Sequence, residues 1–318
     1  MSQPPRVSIV IAHHNGTRFL PETLRSVEQQ TFSDWEVLIV DDGSLPEHRD
    51  VLAQWGGERV TILEQQQQGA GAATQRGIDA ARGDYIAFLD QDDIFHPRKL
   101  EADVQMLDAH PAIDLTFCGY HLVDSEGHPI GGPHLPGAAR FTFRDLLVDY
   151  RIGPSATATV RRAALAAAGA VDPALHRYYD LDLFLRVARL RPTNVAATPE
   201  PYVLYRRHGG QLSSDIGRMR TEWERVLAGF TADPDAGPAA FALAQLNMNR
   251  YFAFLEYEQG RFAEGARAIA RAFRHAPGPA LRDPRNWLVA AGCLGGWVLP
   301  RALRRLAERV AGVERLST

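Results

Sequence analysis

Three aspartates fall within four residues of one another in ARGDYIAFLDQDDIFHP, residues 81–97: Asp90, Asp92 and Asp93. Carboxylates that close repel unless something cationic is shared between them, and a divalent metal carrying a phosphate is the natural candidate. A second acidic pair, Asp41 and Asp42, stands in the turn-forming sequence Asp-Asp-Gly-Ser. Further on, Asp180 opens DLDLFLRVARLR and His208 sits in a loop beside Gly209. A substrate with a nucleotide end and a diphosphate needs groups of these kinds: carboxylates for base or ribose donors, and a metal for the phosphates. Each has a plainer rival. Asp93 could cap the helix that follows, Asp180 could be the N-cap of its own helix, and His208 could be a surface imidazole. Asp182 competes with Asp180, but Leu181 and Leu183 flank it and place it on the polar side of the helix. His13 and His14, adjacent at a strand end, point apart and do not form a metal pair.

The elements that must position these groups alternate. Residues 7–12, 35–40, 59–63 and 85–89 read as buried strands, and helices are expected over about 19–30 and from Gly69 to Gly83. Such alternation means an α/β fold with parallel pairing, right-handed crossovers and helices on both sheet faces. The acidic clusters then stand at strand carboxyl ends, where open α/β sheets bind ligands. A helix from about 97 to 109 and a strand over 113–123, turned back by Ser125-Glu126-Gly127, follow. Regular alternation then stops. A short helix over 143–150, a strand over 155–160, an Ala-rich helix closed by Gly169, a helix over 180–191 and a last sheet segment over 203–205 are expected. From 216 the chain reads as helices only, which sets domains of 1–215 and 216–318. Residues 243–276 fit an antiparallel pair around Gln259-Gly260-Arg261, much like one tetratricopeptide unit. One unit cannot stabilise a solenoid, so a helical cap is the expectation.

With 318 residues, 45% hydrophobic and 23% charged, the chain can bury one large core or two smaller ones and is not disordered. A net charge of −3 without a dominant basic stripe over residues 1–215 argues against nucleic acid as the main partner. Cys118 and Cys293 are too few and too far apart for a disulfide framework or a zinc site, which points to a reducing compartment. Nothing ahead of the first strand resembles a signal peptide, so a cytoplasmic location is expected. Residues 287–299 form the most apolar stretch, too short to span a bilayer. Arg301, Arg304, Arg305 and Arg309 follow it. The pattern suits either a membrane-interfacial helix over 286–309, in peripheral contact with the inner face of the cell membrane, or a buried terminal helix with a solvated basic face.

The order of VSIVIAHHNG (7–16), FLPETLRSVEQQTFSDWEVLIVDDGS (19–44), RGDYIAFLDQDD (82–93), YDLDLFLRVA (179–188) and YRRHGGQLS (205–213) closely resembles the inverting glycosyltransferases of glycosyltransferase family 2. These motifs span about two thirds of the chain. The resemblance implies a GT-A fold, a Rossmann-like and mostly parallel sheet flanked by helices, here with an all-α C-terminal extension. It implies transfer of one sugar with inversion from a nucleotide-diphosphate sugar, a UDP-sugar foremost, to a hydroxyl on a saccharide or lipid-linked acceptor in cell-surface polysaccharide or glycolipid assembly. Carried over by position, Asp42 contacts the nucleoside with Asp41 nearby, and Asp90 faces the ribose. Asp92 binds a divalent metal ion, manganese or magnesium, and His208 completes that metal site. Arg206 or Arg207 meets the pyrophosphate, and Asp180 is the general base. The chain departs from the family in three places. Ala12-His13-His14-Asn15 replaces Pro-x-Tyr-Asn, which offers an imidazole to the base. Ala73-Thr74-Gln75 replaces Ala-Arg-Asn and leaves Arg76, next in line, for the donor phosphates. Tyr179 replaces the Glu before the base and removes a charge. Two rivals stand: a nucleotidyltransferase sharing the α/β core and metal carboxylates, and a non-catalytic nucleotide-sugar-binding scaffold.

Overall fold

Val7, Ile9, Ile11, Val37, Ile39 and Val40 are all fully buried, as a strand covered on both faces requires. In the computed structural model, which describes residues 4–209 and 215–298, these residues belong to β1 (Val7–His13) and β2 (Trp35–Asp42). Between them runs α1 (Leu20–Glu28), which turns Leu20, Leu24 and Val27 to the core. The first half continues with α2 (Pro46–Ala53), β3 (Val60–Gln65), α3 (Ala70–Ala80) and β4 (Tyr85–Phe88). Helix α2 is absent from the sequence reading because it buries only Leu52, and one apolar contact leaves no periodic signal. Gly83 does not close α3 as expected. The helix ends at Ala80, and Gly83 lies so close to β1 that a Cβ there would stand 2.6 Å from the Ser8 nitrogen.

The second half holds β5 (Ile94–Phe95), α4 (Lys99–Ala109), β6 (Leu115–Val123), β7 (Arg140–Phe141), α5 (Phe143–Val148), β8 (Ala158–Arg161), α6 (Arg162–Ala168), α7 (Tyr179–Arg189) and β9 (Val195–Arg206). Residues Ser155–Thr157, read as strand, form a single 3₁₀ turn before β8. Strand β9 is far longer than the three residues expected. Pro199 and Pro201 interrupt its apolar pattern, and its register against β6 shifts around Gly119.

The sheet order is β3-β2-β1-β4-β8-β6-β9-β5, with β7 pairing β9. Strands β3, β2, β1 and β4 are parallel neighbours, and Val7 of β1 stands opposite both Trp35 and Tyr85. Beyond β4 the sheet is mixed, because β8 runs antiparallel to both β4 and β6 while β6 and β9 are parallel. The carboxyl ends of β2, β1 and β4 thus lie side by side, with β1 between the two acidic clusters.

The chain divides into two compact units, residues up to 146 with 150–211, and residues 147–149 with 212–318. The second contains α8 (Ile216–Gly229), α9 (Gly237–Glu258), α10 (Phe262–His275), α11 (Pro277–Arg282) and α12 (Pro284–Val298). Asp215 caps α8 by accepting from the Arg218 N–H. Helices α9 and α10 form the expected antiparallel hairpin, with Phe252, Ala253, Ala268 and Ile269 buried. No described helix is long and apolar enough to cross a membrane. Residues 210–213 of the YRRHGGQLS motif and Arg301, Arg304, Arg305 and Arg309 lie outside the described residues.

Candidate active site

Asp42, at the end of β2, is buried and saturated with donors. Its Oδ1 accepts from Gln65 Nε2 and the Gln68 N–H, both at 2.8 Å, and its Oδ2 from the Gly69 N–H at 2.7 Å. The carboxylate therefore shapes the loop from β3 to α3. Gly69 holds φ +96°, and a Cβ there would meet His176 Nδ1 at 2.6 Å, so this glycine lets the segment before α7 close on the loop. Asp41 is also buried. Its Oδ1 accepts from the Ser44 N–H at 3.2 Å, and Arg49 Nε lies 3.5 Å from Oδ2. His13 Nδ1 lies 3.3 Å from Ser44 Oγ, and burial outweighs Asp41 to push its pKa down, favouring the neutral ring. His14 points the other way, Nδ1 at 3.0 Å from the Asp42 carbonyl and Nε2 at 3.2 Å from Gln67 Nε2.

The second cluster follows β4. Asp90 Oδ2 accepts from Ser155 Oγ at 3.1 Å. Burial, reinforced by the Asp92 and Asp180 charges, lifts the Asp90 carboxyl to about 7. Asp93 caps no helix. It is fully buried, one oxygen accepts the Arg206 N–H at 3.0 Å, and Oδ2 has no hydrogen-bond partner among the described residues. Burial and then Asp90 and Asp92 raise its pKa well above the carboxylate range. Asp92 Oδ2 lies 2.7 Å from Nε2 of His208, whose ring stands 5.0 Å from that of Phe19.

Asp180 enters from the first turn of α7. Position 178, not 180, is the N-cap, and Asp180 Oδ1 accepts the adjacent Leu181 N–H at 2.8 Å. Burial lifts its carboxyl to about 7. Asp182 instead accepts from Arg186 Nε at 2.9 Å, along the helix. Burial, and then Asp90 and Asp180, raise the Tyr179 hydroxyl, with Thr74 opposing them. The Tyr150 hydroxyl, buried and without a hydrogen-bond partner among the described residues, is raised by burial and then by Asp180.

The arginines are placed differently from one another. Arg206, expected at a phosphate, is buried inside the protein. Its Nε donates to the Asp92 carbonyl at 3.1 Å, one terminal nitrogen to the Ser125 carbonyl at 3.1 Å, and the other to Glu22 Oε2 at 2.6 Å. A guanidinium with those partners braces the aspartate loop. Arg207 donates its backbone N–H to Val123 and keeps a half-exposed side chain. Arg76 is exposed in the second turn of α3. Sequence reading missed Ser155, Tyr150, Glu22 and Gln91, whose Oε1 accepts the His14 N–H at 3.1 Å. Only the turn signature Gly153-Pro154-Ser155 offered a signal.

A carboxylate oxygen with an imidazole nitrogen suits manganese better than magnesium, which prefers oxygen ligands alone. Among the described residues no third His, Cys, Asp or Glu completes a ligand set with them. Hard cations held by one or two protein groups take their remaining ligands from phosphates and water. The residues present therefore fit such an ion.

Residues 8–165 match the family model Glycosyl transferase family 2. The chain belongs to glycosyl transferase family 2. Several glycosyltransferases resemble it over various lengths. An uncharacterized glycosyltransferase of Rickettsia typhi is 25% identical over 232 residues, 71% of each chain. The putative teichuronic acid biosynthesis glycosyltransferase TuaG of Bacillus subtilis is 32% identical over 153 residues, 47% of this chain and 60% of that one. Among solved structures, S. aureus TarS 1–349 superposes with a TM-score of 0.62 at 16% identity, covering 96% of this chain and 92% of that one. It has also been solved with UDP-GlcNAc. The mannosyltransferase PcManGT from Pyrobaculum calidifontis, in complex with GDP-Man and Mn2+, gives a TM-score of 0.61 at 16% identity over 97% and 89%. At such identity the likeness is one of fold, and the fold of this family 2 chain is GT-A.

Proposed function

We propose that this chain transfers one sugar from a nucleotide-diphosphate sugar to an acceptor hydroxyl with inversion, in the assembly of a cell-surface polysaccharide or glycolipid. The observation that carries the reading is the meeting of Asp90 and Asp92 from the loop after β4, His208 from beyond β9 and Asp180 from α7. The donor class is supported by the UDP-GlcNAc and GDP-Man complexes of the two structural neighbours, and we take a UDP-sugar as the first donor to try. Asp92 and His208 are the residues that would hold a divalent cation. When bound, such a cation offsets charge growing on the leaving diphosphate. Asp180, with its carboxyl near 7, is matched to taking a proton from an acceptor hydroxyl near neutral pH, and a single base suits a single in-line displacement. Asp41 and Asp42 act through the loops they hold, at the nucleoside end. Arg207 is the arginine we assign to the diphosphate, Arg206 being the brace behind it. Cys118 and Cys293, both buried thiols, suit a reducing, cytoplasmic setting.

The decisive experiment is Asp180→Asn. The amide cannot accept a proton, and Asp180 is no cap, so fold and donor affinity should persist while transfer falls by a factor of about 100 to 10,000. Asp182→Asn, which touches only the Arg186 pair, should keep most activity. A wild-type rate for Asp180→Asn would sink the assignment. Release of pyrophosphate instead of a nucleoside diphosphate would favour the nucleotidyltransferase.

A further inference from the structure

Helix α12 has one covered side and one bare side. Asn286, Ala290 and Cys293 are buried, and Cys293 Sγ reaches the Ala253 carbonyl of α9 at 3.6 Å. Helical spacing puts Trp287, Leu288, Ala291 and Leu294 on the other side. Leu288 is 73% exposed, Trp287 51% and Leu294 49%, with Leu281 of α11 at 56%. Residues 287–296, Trp-Leu-Val-Ala-Ala-Gly-Cys-Leu-Gly-Gly, contain no charged or amide side chain. A bare apolar face of this kind marks a docking surface.

Charge says what the surface is for. Residues 261–318 hold eleven arginines and no lysine against four acidic residues, a net of +7 in a chain whose net is −3, so the residues before 261 carry −10. In the sequence the excess lies on both sides of α12, with Arg274 and Arg282 ahead of it and five arginines after it. An indole and leucines that want hydrocarbon, in a stretch of sequence rich in arginines that want anions, match a bilayer with anionic headgroups. A nucleic acid would leave the leucines in water. We propose that α12 docks the chain on an anionic lipid surface. The helix lies in the interfacial plane with Trp287, Leu288 and Leu294 inserted, since it is too short to span. The proposal stands independently of the active-site assignment.

The test is co-sedimentation of the full chain with vesicles of phosphatidylcholine alone and of phosphatidylcholine with phosphatidylglycerol. Binding should appear only with the anionic vesicles and weaken about tenfold between 0.1 and 0.5 M salt. Leu288→Gln with Leu294→Gln should lower the partition at least tenfold without moving the melting temperature, both side chains being exposed. Absence of binding to either vesicle overturns the proposal, as does equal binding to both or wild-type binding by the double variant. A concentration-dependent dimer that the double variant abolishes, without vesicle binding, would instead make the face a contact between copies.

Discussion

Asp90 and Asp180 are held where water cannot fully solvate their charge, which tunes one for catalysis and makes both costly to ionise. Their folded values of about 7 lie above the roughly 3.9 of an unfolded aspartate, so between these values the folded chain binds more protons. The stability they contribute is fully present below about pH 4 and lost as pH rises through about 7. Asp90→Asn should therefore stabilise the ligand-free protein by about 1–3 kcal/mol at pH 8 and by little at pH 4, read by urea unfolding. Destabilisation at pH 8 would show that the Asp90 charge is already compensated in the free protein. Transfer should run the opposite way: it needs the Asp180 carboxylate, so its rate falls as pH drops below about 7.

Behind the site, one buried charge pair ties an element in place. Lys99 of α4 bonds Asp103 at 2.5 Å and Thr159 of β8 at 2.9 Å, Thr159 bonds Asp103 at 2.6 Å, and all three are fully buried. Burial raises the Asp103 carboxyl while Lys99 opposes it, so the aspartate depends on its partner. Lys99→Met should cost about 3–5 kcal/mol by leaving a buried carboxylate unpaired, and adding Asp103→Leu should recover most of it. A chemical denaturation series of the two variants checks this, and a single variant no worse than the double would refute it. The pair matters to the site because β8 continues from the turn that presents Ser155 to Asp90.

For the whole molecule, the named site residues all belong to the first of the two units, so ligand binding should register in that unit's unfolding. A nucleoside diphosphate with manganese at 100 times its Kd should add about 2.7 kcal/mol, a rise of about 5–11 °C. Chelation of the metal should cancel the metal-dependent part, and Asp92→Asn should lack it. A shift unchanged by chelator would remove Asp92 and His208 from the binding of a cation.

Burial periodicity is local, and so β1, β2, β4, α1 and α7 are legible in the sequence to within about two residues, as is the turn of the α9–α10 hairpin. The acidic clusters, their strand-end positions and the family are legible for the same reason, since each motif is a short contiguous run. What each group meets is not local. Arg206 sits in a motif full of cations and reads as a phosphate contact, yet the pairing of β9 with β6 turns it inward onto the carbonyl of Asp92, 114 residues away. Nothing in the four residues of β8 announces that it runs against its neighbours. The approach of Tyr150 to Asp180 depends on how the loop before the 3₁₀ turn closes on α7. The residue types at the site are thus a property of the sequence. Their pairings, and the burial that carries Asp90 and Asp180 to about 7, come from long-range closure, because hydrogen-bond geometry and desolvation exist only once distant segments are packed.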